Sequence, residues 1–276
     1  MSIEIIDGQG VSKFYETIGD GTVAKPFQSV VPSATISYAE NEIFKTYGDR
    51  VSVFDKGKRL IKFGKNPDLD SGVKELIWNT GGTETYKTSN DIDIVVSTNV
   101  ADTQNIVIEG HTISGTDLTF VVQTATLNGT TPVNLTTPLA RVSRLYNNDS
   151  TDFAGDVTVE DNGTSVHLTV RGTNGENQSR KAQTSISSQD YFIMYQISAG
   201  IIGSVSASIN FELQQRQIGK VWRTVREFKT NDYIELPLYP PIIIPKNTDI
   251  RVVGTSDTNN TEAIAEFAGY LASIQS

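Results

Sequence analysis

The sequence predicts an all-β protein: an N-terminal extended arm, a small β module and a C-terminal β-sandwich of jelly-roll type. Three observations predict it. Apolar residues come in short runs that alternate with Thr, Ser, Asn and Asp, the period of a half-buried strand. Asn-Gly pairs and other turn formers punctuate those runs at close intervals. No stretch keeps a helical period for more than three turns.

Residues 1–35 read as an arm. Gly8, Gly10, Gly19, Gly21, Pro26 and Pro32 interrupt regular structure, and small apolar groups sit between them: Ile5, Ile6, Phe14, Tyr15 and Phe27. Such a segment has no core of its own and gains order by lying on something else. Those five residues are its predicted anchors, each contributing on the order of 1.5–3 kcal/mol if buried, before ordering costs.

Residues 36–116 form the predicted small module. Residues 50–54 alternate, a turn follows at Asp55 to Lys58, and residues 59–63 return, which is a hairpin pattern. Residues 63–72 are dense in turn formers and read as a loop. Residues 73–78 suit a short strand or one helical turn, and residues 91–97 and 105–109 read as strands.

Residues 117–276 form the predicted sandwich. Residues 120–127 and 131–135 meet at Asn128-Gly129; residues 156–160 and 165–170 meet at Asn162-Gly163. Asn-Gly accepts the positive φ angles of a type I′ turn. In the second hairpin Val157, Val159, Val166, Leu168 and Val170 are expected inside, with Thr158, His167 and Thr169 outside. Strands are further expected at residues 191–197, 204–214, 221–228, 233–238, 249–253 and 263–274. The last has Ala, Glu and Leu, but its strict alternation favours a strand.

The composition bounds function. The chain has no Cys, which excludes disulfides, thiolate metal sites and Cys nucleophiles. A net charge of -9 argues against a protein devoted to gripping nucleic acid. The densest basic stretch, Arg216, Lys220, Arg223, Arg226 and Lys229, reads as a surface balanced by Glu227 and Asp232. No secretory leader opens the sequence and no apolar run is long enough to span a bilayer, so no membrane contact is expected, and any route out of a cell is expected to be lysis or assembly instead of export.

Chemistry is hard to find. The two histidines, His111 and His167, lie in no hydrolase or zinc-protease motif and read as surface residues. Acidic residues are too many to single out a catalytic pair. Residues 66–72 and 257–262 hold alternating oxygen ligands, but the first fails the calcium-loop pattern at Ser71 and Ile77. Trp78, Trp222, Tyr239 and Tyr270 could present aromatic platforms to a glycan, against a simpler role in packing. The expectation is no enzyme, no cofactor and no metal.

Two stretches resemble virion structural proteins of tailed phages, especially marine and cyanobacterial ones. The first is FGKNPDLDSG (63–72) running into ELIWNTGG (75–82). The second is ATLNGTTPVNL (125–135), followed by RVSRLYNN (141–148) and FAGDVTV (153–159). Residues 259–267 resemble that group's C-terminal strand. The resemblance implies a virion part on the capsid exterior or in the tail, and it implies no catalytic residues.

Three readings follow. The leading one is a homo-oligomeric capsid decoration or cement protein, docked on the major capsid protein or neighbouring virion subunits and assembled in the host cytoplasm. The second is a tail, neck or receptor-binding subunit, with Trp222 and Tyr239 meeting a host glycan. The third is a polysaccharide depolymerase.

Overall fold

A computed structural model describes residues 2–6, 12–16, 58–163, 165–203 and 207–273. The chain divides into two compact units, Met1–Ser52 and Val53–Ser276. In the first, β1 (Ser2–Ile6) and β2 (Ser12–Glu16) pair antiparallel, with Glu4 opposite Phe14 and Ile5 opposite Lys13. The predicted arm thus carries a regular antiparallel strand pair. Residues 50–54 and Phe27 lie outside the described residues.

The second unit is two antiparallel sandwiches, one inserted in the other. The outer sandwich begins with β3 (Lys58–Leu69) and β4 (Lys74–Leu76). The inserted one comprises β5 (Ile92–Ser97), β6 (Asn105–Ser114), β7 (Asp117–Thr126), β8 (Val133–Leu139), β9 (Arg141–Asn147), β10 (Val157–Asp161) and β11 (Ser165–Val170). A 3-10 turn at Gly172–Asn174 precedes the return to the outer sandwich. That return supplies β12 (Gln183–Ile186), β13 (Asp190–Ile201), β14 (Ile209–Gln217), β15 (Arg223–Thr230), β16 (Ile234–Ile244), β17 (Thr248–Ser256) and β18 (Thr261–Ser273). No α-helix occurs among the described residues.

The outer sandwich stacks sheet β16-β13-β18-β3 on sheet β12-β17-β14-β15, with β4 also paired to β17. Its core joins Leu69 and Ile77 from the early strands to Phe192, Phe211, Ile250 and Phe267 from the late ones. The inserted sandwich stacks β11-β10-β5-β8 on β7-β6-β9 around a separate core, including Ile92, Ile106, Leu145, Val157 and Leu168.

Local chemistry explains much of this. Asn162 and Gly163 take φ of 41° and 72°, as the predicted turn between β10 and β11 requires. In β18, Ala263, Ala265 and Phe267 are buried while Glu262, Ile264 and Glu266 are less so. That alternation overrides the helical propensity of Ala and Glu. Pro67 lies in β3, and Pro237, Pro240 and Pro241 lie in β16. Both are edge strands, where a missing N–H is tolerated.

Three expectations are corrected. Most of the turn-rich stretch 63–72 continues β3, paired to β18 as far as Leu69, because at an edge only one side of the strand must supply hydrogen bonds. The boundary expected at Asp117 falls inside the β6–β7 hairpin, where Ser114 faces Asp117. The break in organisation lies at the two crossings between sandwiches, which depend on the remote pairing of Leu76 with Val253. Finally, His167 is buried. A bulge between Val159 and Glu160 shifts the β10–β11 register, so His167 and Leu168 are both buried and Val166 is less so.

Candidate binding cleft at the seam of the two sandwiches

The two cores do not merge. Charged and polar side chains join the sandwiches instead. Arg141 of β9 makes a two-pronged contact with Asp249 of β17, Nε to Oδ1 at 3.0 Å and Nη2 to Oδ2 at 3.1 Å. Arg216 of β14 donates to the same Oδ2 at 3.1 Å, and the Ser185 hydroxyl donates to Oδ1 at 2.6 Å. Asp249 is fully buried, so this saturation of its acceptors is what makes its charge tolerable there.

The segment crossing from β4 to β5 is threaded through this seam. Tyr86 lies under Arg216, whose guanidinium carbon is 4.2 Å from the ring centroid, and meets Trp222 edge-on at 5.1 Å. Burial pushes the Tyr86 hydroxyl well above its usual value. Glu84 accepts from the Lys181 ammonium at 2.7 Å; Lys181 also donates to the carbonyls of Val142 and His167. Burial drives both members of this pair toward their neutral forms, raising Glu84 and lowering Lys181, while each partner opposes the shift.

Beside the seam opens a cleft of about 720 Å³, within the size range of small-ligand sites. One wall is the start of the edge strand β3. The other is the outer face of β7-β6-β9, and β12 with the residues just before it adds a polar floor. Phe120 and Val122 line the cleft yet stay exposed, and the partly buried Leu60 and Leu271 line it from the face of the outer sheet that carries Lys62; Ile61 and Phe63 alternate to the opposite face of β3. Lys62 and His111 are buried among its lining.

Lys62 projects to the core side of β3, opposite Phe267, and its ammonium donates to the Ser143 carbonyl at 3.3 Å. Burial lowers its pKa to about 8; Arg144 and Lys181 push the same way, and Glu109 opposes. His111 packs edge-on against Phe120 at 5.3 Å, and its Nδ1 has no hydrogen-bond partner. Burial lowers its pKa to about 4, so it is neutral at physiological pH. The cleft carboxylates are engaged elsewhere: Glu109 with Arg144 at 3.5 Å, and Asp190 with the hydroxyls of Ser187 and Ser273.

The sequence-predicted residues fall as follows. Ile5 and Ile6 lie on β1, and Phe14 and Tyr15 on β2. Trp222 is half-buried, and Arg251 stacks 3.9 Å from the centroid of its ring, so its face is occupied. Tyr239 is 93% exposed. Trp78 is core, with Lys181 over its ring. In the first acidic loop, Asn66 Oδ1 accepts from the Asp68 amide and Glu75 accepts from the Asp70 amide. In the second, Asp257 accepts from the Ser208 amide and hydroxyl. Both histidines, expected on the surface, are buried at the seam. Of the basic stretch, Arg216 is consumed by Asp249, while Arg223, Arg226 and Lys229 remain exposed on the edge strand β15. The cleft itself was missed: Leu60 and Lys62 look like part of an ordinary strand, and their opposite wall is more than forty residues away.

The fold and this seam define an all-β protein of two nested antiparallel sandwiches with a cleft where they meet. No protein-family model matches the chain, and no match was found among curated proteins or solved structures.

Proposed function

We propose that this chain is a non-enzymatic virion structural protein, a decoration or cement subunit that docks on the major capsid protein or on neighbouring virion subunits. The observation that carries this reading is the edge strand β16. It and the residue before it expose Tyr233 (53%), Tyr239 (93%) and Ile243 (43%). Large apolar side chains along a long sheet edge favour association. Pro237, Pro240 and Pro241 withhold N–H groups from that edge, which blocks open-ended strand addition and favours docking through side chains. Copies repeated over a lattice add valency, so each contact can be modest. The resemblance of residues 63–82 and 125–159 to tailed-phage virion proteins points the same way.

The test is addition of purified protein to particles that lack it. Heat resistance of the particles is expected to rise with occupancy, and Tyr239→Asp with Ile243→Asp is expected to abolish docking. Full occupancy without any gain in heat resistance would refute the cement role. Exposed Tyr239 also favours the second reading, a receptor-binding tail subunit. Low copy number per particle, with binding of the isolated protein to host cells, would select it.

A further inference from the structure

We propose that the cleft between β3 and the outer face of β7-β6-β9 is a binding site for an anionic amphiphile: a carboxylate head held by the Lys62 ammonium, with an apolar body lying against Leu60, Leu271, Phe120 and Val122. This assignment is independent of the virion reading.

Four observations carry it. First, Lys62 is a buried cation without a carboxylate of its own. Its ammonium has three donors, and the Ser143 carbonyl takes one of them. Glu109 and Asp190, the acids that line the cleft, are bound to Arg144 and to two serines. Second, the His111 ring is buried in the same lining with an unpartnered Nδ1. A polar group held this way away from water is costly unless something fills the site. Third, Phe120 and Val122 stay exposed on one wall, and Leu60 and Leu271, on the face of the outer sheet that carries Lys62, are only partly buried on the other; all four line a space of about 720 Å³. Apolar walls around a few convergent polar groups are the usual make-up of a small-ligand site. Fourth, the charge is complementary. The groups lining the cleft are Lys58, Arg59 and Lys62 from β3, Arg144 from β9 and Lys181 before β12, against Glu109 and Asp190; His111 is neutral. Lys181 is already matched by Glu84 outside the cleft lining, so the surplus belongs to β3. A cation cleft in a chain of net charge -9 is a local feature that an anion reads.

The Lys62 pKa of about 8 supplies a signature. The amine is charged at pH 7 and mostly neutral at pH 9.5, so head-group recognition fades across that interval.

The experiment is calorimetric titration of the full chain with decanoate, and with decanamide as the uncharged match. Decanoate is expected to bind one to one, with decanamide at least about tenfold weaker, the size of a charge-assisted hydrogen bond. Affinity for decanoate is expected to fall about tenfold from pH 7 to pH 9.5. Lys62→Met is expected to weaken it by a similar factor and to remove the pH dependence. Val122→Asp, at an exposed wall position that leaves the core untouched, places a like charge at the mouth and is expected to weaken binding at least fivefold. Failure of decanoate to bind at millimolar concentration overturns the proposal. So do equal affinities for decanoate and decanamide, or unchanged binding by Lys62→Met.

Discussion

Replacing Lys62 with Met is expected to make this protein more stable. The ammonium is buried, and burial lowers its pKa from 10.5 to about 8. The gap of about 2.5 units, at 1.36 kcal/mol per unit, means that the fold disfavours the charged form by about 3 kcal/mol at pH 7. Methionine has nearly the same length and flexibility and carries no charge. The substitution should therefore recover about 1–3 kcal/mol, the range allowing for imperfect packing. The sign can be tested by pH as well. Between pH 8 and 10.5 the unfolded chain holds the Lys62 proton while the folded chain has released it. The unfolded state then binds more protons, so wild-type stability rises with pH across that window. In Lys62→Met this contribution vanishes, and the gap between the two proteins closes as pH approaches 10.5. Urea unfolding at pH 7 and pH 10 reads both effects. A Lys62→Met protein less stable than wild type at pH 7, or a difference that does not shrink at high pH, would refute the reasoning. It would mean that Lys62 is satisfied within the fold and is not held in reserve for a ligand.

Asp249→Asn removes the charge that Arg141 and Arg216 share. Two guanidinium groups then lack their carboxylate, and a loss of about 3–5 kcal/mol in urea unfolding is expected; a loss below 1 kcal/mol would show that the seam is not held by this network. Gly64→Ala places a Cβ 2.1 Å from the Ile77 carbonyl oxygen and 2.3 Å from the Ala182 amide nitrogen. Backbone cannot retreat there as a side chain would, so destabilisation of at least about 2 kcal/mol is expected in the same assay. His111, with a folded pKa near 4, stays neutral while the unfolded chain takes up a proton below pH 6.5. Stability should thus fall on acidification between pH 6.5 and 4, and His111→Gln should reduce that slope by about 1.4 kcal/mol per pH unit. An unchanged slope would count against burial of a neutral ring.

What was legible in the sequence is what depends on neighbours along the chain. The β10–β11 turn follows from Asn162-Gly163, and β18 follows from alternation over 263–273, despite its helical composition. What was not legible depends on distant partners. Residues 63–72 look like a loop because Pro67 and the Gly, Asn, Asp and Ser residues around it are local signals; β18, some two hundred residues on, turns most of the stretch into an edge strand. The nested insertion was hidden for the same reason. Nothing near Leu76 announces that it pairs with Val253. Burial of His167 depends on a single bulge, and period-two reasoning fails wherever a register shifts by one residue.

The seam explains why the cleft exists. Two apolar faces pressed together would close any gap between the sandwiches, because oily surfaces can slide and repack. Here the contacts are directional: Arg141 and Arg216 on Asp249, and Lys181 on Glu84 and two carbonyls. Each fixes an angle as well as a distance, and each is costly to break once buried. A joint of this kind holds the outer face of β7-β6-β9 at a set distance from β3 without filling the space between them. Across that space Lys62 reaches the Ser143 carbonyl with one of its three donors, and the Nδ1 of His111 is left without a partner. The charge network and the unsatisfied cleft are two consequences of one choice, to join the sandwiches by ions instead of by a common core.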